Sequence, residues 1–232
     1  HPVAASDVEE LRAAVDAARA RKSLEEEGNA LRALVLRLRA LGRGDEAIAA
    51  CEQELAVRER LPDLAARAHA LVNLAVILKD RAQLDEARAL YEQALEIHRR
   101  IGNRAGEGKA MANLAVVHME QGRVEEARGL LEQALLIHRE LGDEDFEAIV
   151  LGNLGSFHAE AGSVPAVTRR YYEEALGIHR RRGDRPSEGR ILGNLALLAD
   201  AEGRLEEAHG LYGEALAIHR AAGSRRSEGI VL

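Results

Sequence analysis

Apolar residues along the chain recur at intervals of three and four positions, the spacing that places them on one face of an α-helix. Leu114 and Val117 follow this spacing before the polar segment 122–126, and Ala127, Leu130 and Leu135 follow it afterwards. The glycine at the start of that segment is typical of a turn. The pattern therefore predicts two amphipathic helices joined by a short turn.

This helical hairpin is repeated with a period of 40 or 41 residues. Two markers keep the period: Asn-Leu pairs begin at Asn73, Asn113, Asn153 and Asn194, and Ile-His-Arg triplets are centred on His98, His138, His179 and His219. Agreement between independent markers predicts stacked copies of one unit. The prediction is a single domain, 1–232, which begins with a leading or capping helix, 7–22, and a diverged repeat 1, 23–61. Repeats 2 to 5 follow at 62–102, 103–142, 143–183 and 184–223, and residues 224–232 begin a truncated repeat 6. The chain is therefore expected to be a piece of a longer protein.

Residues at the predicted helix ends support these boundaries. A glycine suited to the left-handed conformation closes each second helix, and a capping residue follows it directly: Gly102-Asn103, Gly142-Asp143, Gly183-Asp184 and Gly223-Ser224. Ser6 and Ser23 each begin a capping box, which predicts a helix start at both places. Repeat 4 has one extra residue near Pro165, so its inter-helix turn is expected to differ from the others.

The repeat resembles the tetratricopeptide repeat in its long form, as in kinesin light chains, the Pins and LGN scaffolds and bacterial signalling proteins. Small residues occupy the positions at which paired helices approach closely: Ala75, Ala115, Gly155 and Ala196 on the first helix, and Ala94, Ala134, Ala175 and Ala215 on the second. Bulky residues occupy one position of the second helix, the filler position: Tyr91, Leu131, Tyr172 and Tyr212. Repeat 1 departs from this pattern with Glu54 at an alanine position and Cys51 at the filler position, where a buried apolar role is expected. The resemblance implies an all-α, right-handed α-solenoid of antiparallel helix pairs whose first helices line a concave surface.

The composition of the chain argues against several classes of protein. Hydrophobic residues make up 47% of the 232 positions and aromatic residues only 3%, which excludes disorder and favours packed helices. A net charge of −7 argues against nucleic-acid partners, and no apolar run approaches the ~20 residues of a membrane helix. Cys51 cannot form an intramolecular disulfide, so a reducing, cytoplasmic setting is expected. Lys22, Lys79 and Lys109 are the only lysines among the 32 basic residues, a bias that hints at a GC-rich bacterial genome.

Catalysis and metal binding are not predicted. The repeated histidines occur once per unit, and neighbouring packed helices lie ~8–10 Å apart, whereas each zinc ligand needs a bond of ~2 Å. Burial and a favourable helix-end dipole explain them more simply. P-loop, dinucleotide, nucleophile-elbow and zinc-helix motifs are all missing from the sequence. We expect no enzyme activity, no metal and no cofactor.

Peptide binding is predicted on the concave face that the resemblance implies. Helical spacing from the repeated asparagines selects the residues on that face: Asn73, Asn113, Asn153, Asn194, Arg32, Arg39, Lys79, Lys109, Val116, Met119, Glu120 and Arg190. Asparagine is a poor helix former, by about 0.5–0.7 kcal/mol relative to alanine, so four in register require a reason. The amides either bind the backbone of a peptide, as the corresponding asparagine does in peptide-binding members of the family, or bond to the backbone of the adjacent repeat and fix the stack. The sequence leaves both open.

The predicted function is a non-catalytic scaffold that holds a peptide or helix of a partner protein. Basic residues are denser toward the N-terminal end of the groove, so the partner segment is expected to carry acidic groups there. One alternative is a regulatory or sensor arm of a larger bacterial signalling protein, such as a STAND-type ATPase or a caspase-like protease. Another is end-to-end self-association through the terminal repeats.

Overall fold

The computed structural model describes residues 2–221, with side chains from Asp7 onward. This part of the chain forms eleven α-helices and no strand. The helices are α1 (Pro2–Ala20), α2 (Leu24–Ala40), α3 (Gly44–Arg58), α4 (Leu64–Asp80), α5 (Leu84–Arg100), α6 (Arg104–Glu120), α7 (Val124–Leu141), α8 (Glu144–Glu160), α9 (Pro165–Arg182), α10 (Arg185–Ala201) and α11 (Leu205–Ala221). The predicted all-helical fold of paired helices is confirmed, and α2 to α11 fall two to a repeat.

The leading helix begins earlier than predicted. It starts at Pro2 rather than at residue 7, so Ser6 lies within α1 instead of capping it, and it ends at Ala20 rather than at residue 22. The capping box at Ser6 is overruled because a proline suits a first helical turn and the alanines that follow favour continuation of the helix. Ser23 does cap α2, accepting the backbone N–H of Glu26. The truncated repeat predicted at 224–232, and the Gly223-Ser224 helix end, lie outside the described residues.

The chain divides into two compact units, one ending at Gln121 and the other beginning at Gly122. In the first unit, helices α1 to α6 each pack against the next helix along the chain. The second unit, α7 to α11, is built in the same way. The organisation as a single domain stays a prediction.

Small residues allow the helices of each unit to approach closely. The alanines of the close-packing positions are buried, and the fillers Tyr91 and Leu131 are completely buried between them. At Gly155 the approach is very close, because a Cβ atom there would lie 2.5 Å from the ring of Tyr172. Glycine at this position therefore lets Tyr172 lie against α8.

The predicted pairs of a glycine and a capping residue at the ends of repeats 2, 3 and 4 are found at helix ends. Gly102, Gly142 and Gly183 adopt φ values of 67°, 64° and 71°. The side chains of Asn103, Asp143 and Asp184 then accept the backbone N–H three residues on, at 2.9, 3.3 and 3.2 Å. Helix α9 begins at Pro165, and Val164 before it has a ψ of 124°, whereas the residues before α5 and α7 have ψ values of 65° and 71°. The turn of repeat 4 therefore differs as expected.

The repeated histidines are buried more completely than the predicted partial packing. His98, His138 and His179 are at most 3% exposed. The Nδ1 atom of His138 lies 3.3 Å from Oδ2 of Asp143, and that of His179 lies 3.2 Å from Oδ2 of Asp184. Each of these aspartates also caps the next helix. The histidine thus connects the end of one repeat to the start of the next.

Candidate functional site

The repeated asparagines lie near the middle of the first helices of the predicted repeats. We call α2, α4, α6, α8 and α10 the A helices, α3, α5, α7, α9 and α11 the B helices, and the A-helix surface that carries the asparagines the asparagine face. Asn73 and Asn113 are on this face in the first unit, and Asn153 and Asn194 are on it in the second. All four side chains are half-buried.

Three of these amides have no hydrogen-bonding partner among the residues that the structure describes. Asn73, Asn113 and Asn153 make no side-chain hydrogen bond to any residue in the described range 2–221. An amide that fixed the stack would bond to the backbone of an adjacent repeat, and that contact is not made by these three. Each keeps one acceptor and two donors for another molecule.

The predicted cations differ in their surroundings. Lys79 is neutralised on the asparagine face itself, since its Nζ lies 2.9 Å from Asp80 and 3.9 Å from Glu120. Arg32, Arg39 and Arg190, in contrast, make no ion pair with residues of the described chain. The cationic character of the face therefore rests mainly on arginines and not on Lys79.

One end of the first unit's asparagine face is cationic. Burial lowers the pKa of His69, and the nearby charges of Arg32 and Lys109 lower it further. The ring centroid of His69 lies 6.0 Å from that of His98, whose pKa is also lowered, first by burial and then by His69. The A helices α2, α4 and α6 thus each contribute a basic side chain to one neighbourhood.

Apolar side chains occupy the rest of this face. Val116 and Met119 on α6 are half-buried, and Leu36 on α2 is 49% exposed. Exposed apolar groups beside unpaired amides can cover hydrophobic side chains of a ligand while the amides bind its backbone.

In the second unit the structure adds a residue that sequence reasoning missed. Tyr172, interpreted as a filler, donates its hydroxyl to Oγ of Ser156 at 3.2 Å. Burial is the main cause that raises the pKa of this phenol, and the side chain of Asn194 acts on the pKa in the opposite direction. The signal that could have identified it is the Gly155-Ser156 pair in α8, where repeats 2 and 3 have alanine followed by valine.

The single cysteine of the sequence lies in the core. Cys51 is fully buried, and burial raises the pKa of its thiol to about 12, so the thiol stays protonated. Within the residues that the structure describes, no three His, Cys, Asp or Glu side chains lie close enough to hold a metal ion. In the same range, no helix is long and apolar enough to cross a membrane.

The family model described as "Tetratricopeptide repeat" matches residues 26–100, 107–166 and 148–221. The chain belongs to the tetratricopeptide repeat family. The predicted resemblance is confirmed over most of the chain, including the diverged repeat 1.

Solved structures of tetratricopeptide repeat proteins share the fold. BtubC (BKLC) from P. vanneervenii is 21% identical, with 95% of this chain and 92% of that chain covered and a TM-score of 0.78. A kinesin light chain-like repeat protein from Podosopora anserina is 23% identical, with 84% and 95% covered and a TM-score of 0.65. The Rap conjugation gene regulator of the plasmid pLS20, in complex with the Phr* peptide, is 17% identical, with 85% and 56% covered and a TM-score of 0.76.

No curated protein sequence matches the chain. The structural likenesses lie below 25% identity, so they show the tetratricopeptide repeat solenoid fold and no more. Proteins of this family are in general non-catalytic scaffolds for protein interactions. Which molecule this chain binds must be argued from its own residues.

Proposed function

We propose that the chain is a non-catalytic scaffold that binds a peptide or helix of a partner protein on its asparagine face. The observation that carries this proposal is the set of three half-buried amides, Asn73, Asn113 and Asn153, that make no hydrogen bond within the described residues. A mid-helix asparagine costs helix stability, and a ligand that bonds to its amide offsets that cost.

The surface suits an extended peptide. The amide of each asparagine can donate to one peptide carbonyl and accept from one peptide N–H, which gives affinity that is independent of the ligand's sequence. Val116 and Met119 then offer apolar contacts for its side chains. The similar fold of the Rap regulator, whose structure contains the Phr* peptide, supports a peptide ligand.

The binding role of the repeated asparagines is tested with a variant in which two of them are replaced by alanine. Peptides are selected from a displayed library of random linear sequences with the wild-type chain as bait, and affinities are measured by fluorescence anisotropy. Asn73→Ala with Asn113→Ala should weaken binding by about 5-fold for each hydrogen bond lost, at about 1 kcal/mol per bond. Alanine is the better helix former, so the free energy of unfolding should rise by about 0.5 kcal/mol at each site.

The matched control is Gln93→Ala, which removes an exposed amide from the B helix α5 of the same unit. Binding should be unchanged in this variant. If the asparagine variants bind as wild type, or if they unfold more easily, the amides are not a peptide-binding ladder.

We also propose that the partner segment is acidic, because Arg32 and Arg39 lie on the asparagine face without an ion pair in the described chain. Binding should then weaken between 0.1 M salt, where the Debye length is about 10 Å, and 1 M salt, where it is about 3 Å. An affinity that stays constant over this range would contradict the charge complementarity.

Two other roles remain proposals. A regulatory arm of a larger signalling protein is favoured by the similar fold of a conjugation gene regulator, and the sequence of the full-length gene would test it. Self-association through the terminal repeats depends on residues 224–232, and light scattering with and without them is its test. A cytoplasmic location is consistent with a single buried free thiol at Cys51.

A further inference from the structure

A cavity of about 300 Å³ lies in the first unit between α1 and α3, which both pack against α2. Its floor is formed by Leu31, Leu34 and Leu38 of α2, and its walls include Val15 of α1 and Ala50 of α3. All five of these side chains are buried. The interior of the cavity is therefore apolar.

Two side chains in the walls are smaller than their equivalents in repeat 2. The period of 40 residues aligns Ala50 with Leu90 and Val15 with Leu55. Leu55 and Leu90 both pack against a buried cluster on α4 and α5: Ala68, Leu71 and Ala94. Repeats 3, 4 and 5 also have a large side chain at the position of Ala50: Leu130, Tyr171 and Leu211. Repeat 1 thus leaves open a space that the chain fills for itself in repeat 2.

The cavity lies on the opposite side of α2 from the asparagine face. Successive residues of an α-helix are rotated by about 100°, so Leu34 in the floor and Arg32 on the asparagine face point in nearly opposite directions. A group bound in the cavity therefore does not compete with a peptide on the asparagine face.

Polar side chains bridge the mouth of the cavity at two places. Arg12 of α1 binds Glu46 of α3, and Nη2 of Arg19 donates to Oε1 of Gln53 at 2.7 Å. The two arginines are seven residues apart, which is about 10 Å along a helix. With Asp16, two basic and two acidic side chains line the mouth, and their charges balance.

These features define the chemistry of a ligand. A charged group would have to compete with ion pairs that already exist at the mouth, whereas an uncharged group meets no such competition. An apolar cavity of about 150 Å³ in a protein core is large enough to bind benzene. The cavity of about 300 Å³ therefore has room for an apolar group of one or two rings, and burial of that group supplies the driving force.

We propose that the cavity between α1 and α3 binds a compact, uncharged apolar group. The group belongs either to a small molecule free in solution or to a leucine or aromatic side chain of another protein. This is a second binding site of the chain, and it does not depend on the peptide site proposed for the asparagine face.

Benzene is the probe for a free ligand. At ten times its dissociation constant, a ligand that binds only the folded chain raises the ratio of folded to unfolded chain about tenfold, so the urea midpoint should rise with benzene concentration. Ala50→Leu fills the cavity and should abolish this rise. The matched control is Ala49→Leu, which adds the same atoms at an exposed neighbouring position and should keep the rise.

The charge of the ligand is tested with benzoate and benzylamine, which are ionised at pH 7. Both should raise the midpoint less than benzene does, and a larger rise with either would contradict an uncharged ligand. No rise with benzene in the wild-type chain, or an equal rise in Ala50→Leu, would overturn the proposal. If Ala50→Leu fails to fold, as circular dichroism would reveal, Ala50→Val adds fewer atoms and should reduce the rise.

A displayed library of random linear peptides tests the side-chain source. Selection on the wild-type chain with depletion on Ala50→Leu should enrich peptides that share a leucine or aromatic residue at one position. Replacing that residue with alanine should weaken binding about tenfold, the factor that corresponds to 1.4 kcal/mol. These peptides should bind equally well to the variant that combines Asn73→Ala with Asn113→Ala.

The outcomes also separate the two sources. A benzene effect without such peptides supports a free small molecule as the ligand. Peptides whose binding is weakened by the asparagine variant would place their apolar residue on the asparagine face, contrary to this proposal.

Discussion

At the scale of single residues, repeat 1 differs from the others by a buried ion pair. Glu54 is fully buried where later repeats have alanine, and Nε of Arg58 lies 3.7 Å from its Oε1. Arg58, which replaces the repeated histidine, also donates to Oδ1 of Asn29 at 2.8 Å. Burial raises the pKa of Glu54, whereas Arg58 and Arg32 act in the opposite direction. The two substitutions therefore belong together.

Removing one member of this pair should be costly. Glu54→Ala leaves the Arg58 charge buried without its carboxylate, and loss of one partner of a buried ion pair typically costs about 3–5 kcal/mol. We therefore expect the free energy of unfolding, measured in urea, to fall by about 3 kcal/mol. The double variant Glu54→Ala with Arg58→His restores the residues of repeats 2 to 5, and its stability should return to within about 1 kcal/mol of wild type. Additive losses in the double variant would mean that the two residues are not coupled.

The sequence revealed the divergence at Glu54 but not its partner. Glu54 was visible because the repeat period aligns it with alanines, and Cys51 was assigned correctly to the core by the same alignment. The bond from Arg58 to Asn29 was not predictable, because it depends on which side chains of neighbouring helices meet. Tyr172 was missed for the same reason.

At the scale of helices, a repeated arginine connects the B helices α5, α7 and α9 to the A helix that follows each of them. Arg180 in α9 donates to Glu188 in α10 at 3.1 Å and to Glu214 in α11 at 3.0 Å. Arg139 makes the equivalent bonds to Glu147 at 2.8 Å and Glu174 at 2.9 Å. The Ile-His-Arg triplet was predicted only as a period marker, yet its histidine and its arginine both bind the following A helix. Periodicity located these residues, and the structure supplied their partners.

Of the two bonds that Arg180 makes, the one to the buried carboxylate of Glu188 should contribute more to the free energy of unfolding. Glu188 is 4% exposed, so Arg180→Gln removes one of the cations that compensate its charge and should lower the free energy of unfolding by about 1–2 kcal/mol. Arg181→Gln is the matched control from the same helical turn, since Arg181 and its partner Glu144 are both exposed at a distance of 3.5 Å. Its effect should be within about 0.5 kcal/mol. Equal losses in urea unfolding would contradict the special role of Arg180.

At the scale of the whole chain, histidines whose pKa is lowered in the folded state couple stability to pH. Burial is the largest cause of the lowered pKa of His69, His98, His158 and His179. In the folded chain each of these rings therefore takes up a proton at a lower pH than it does in the unfolded chain, where the pKa is about 6.5. Both compact units contain such histidines, so the effect is distributed along the chain.

The sign of the pH dependence follows from these lowered values. The unfolded chain binds more protons than the folded chain as pH falls through about 6.5, so protonation favours unfolding. The free energy of unfolding should have its highest value above pH ~7.5 and should decrease as pH falls to ~5.5, a range in which most carboxylates are still ionised. Urea unfolding at these pH values measures the slope. His179→Gln should reduce that slope, because burial of the His179 ring lowers its pKa even though the carboxylate of Asp184 acts in the opposite direction. A stability that rises on acidification would show that the histidines gain partners on folding and do not lose solvation, contrary to the burial seen here.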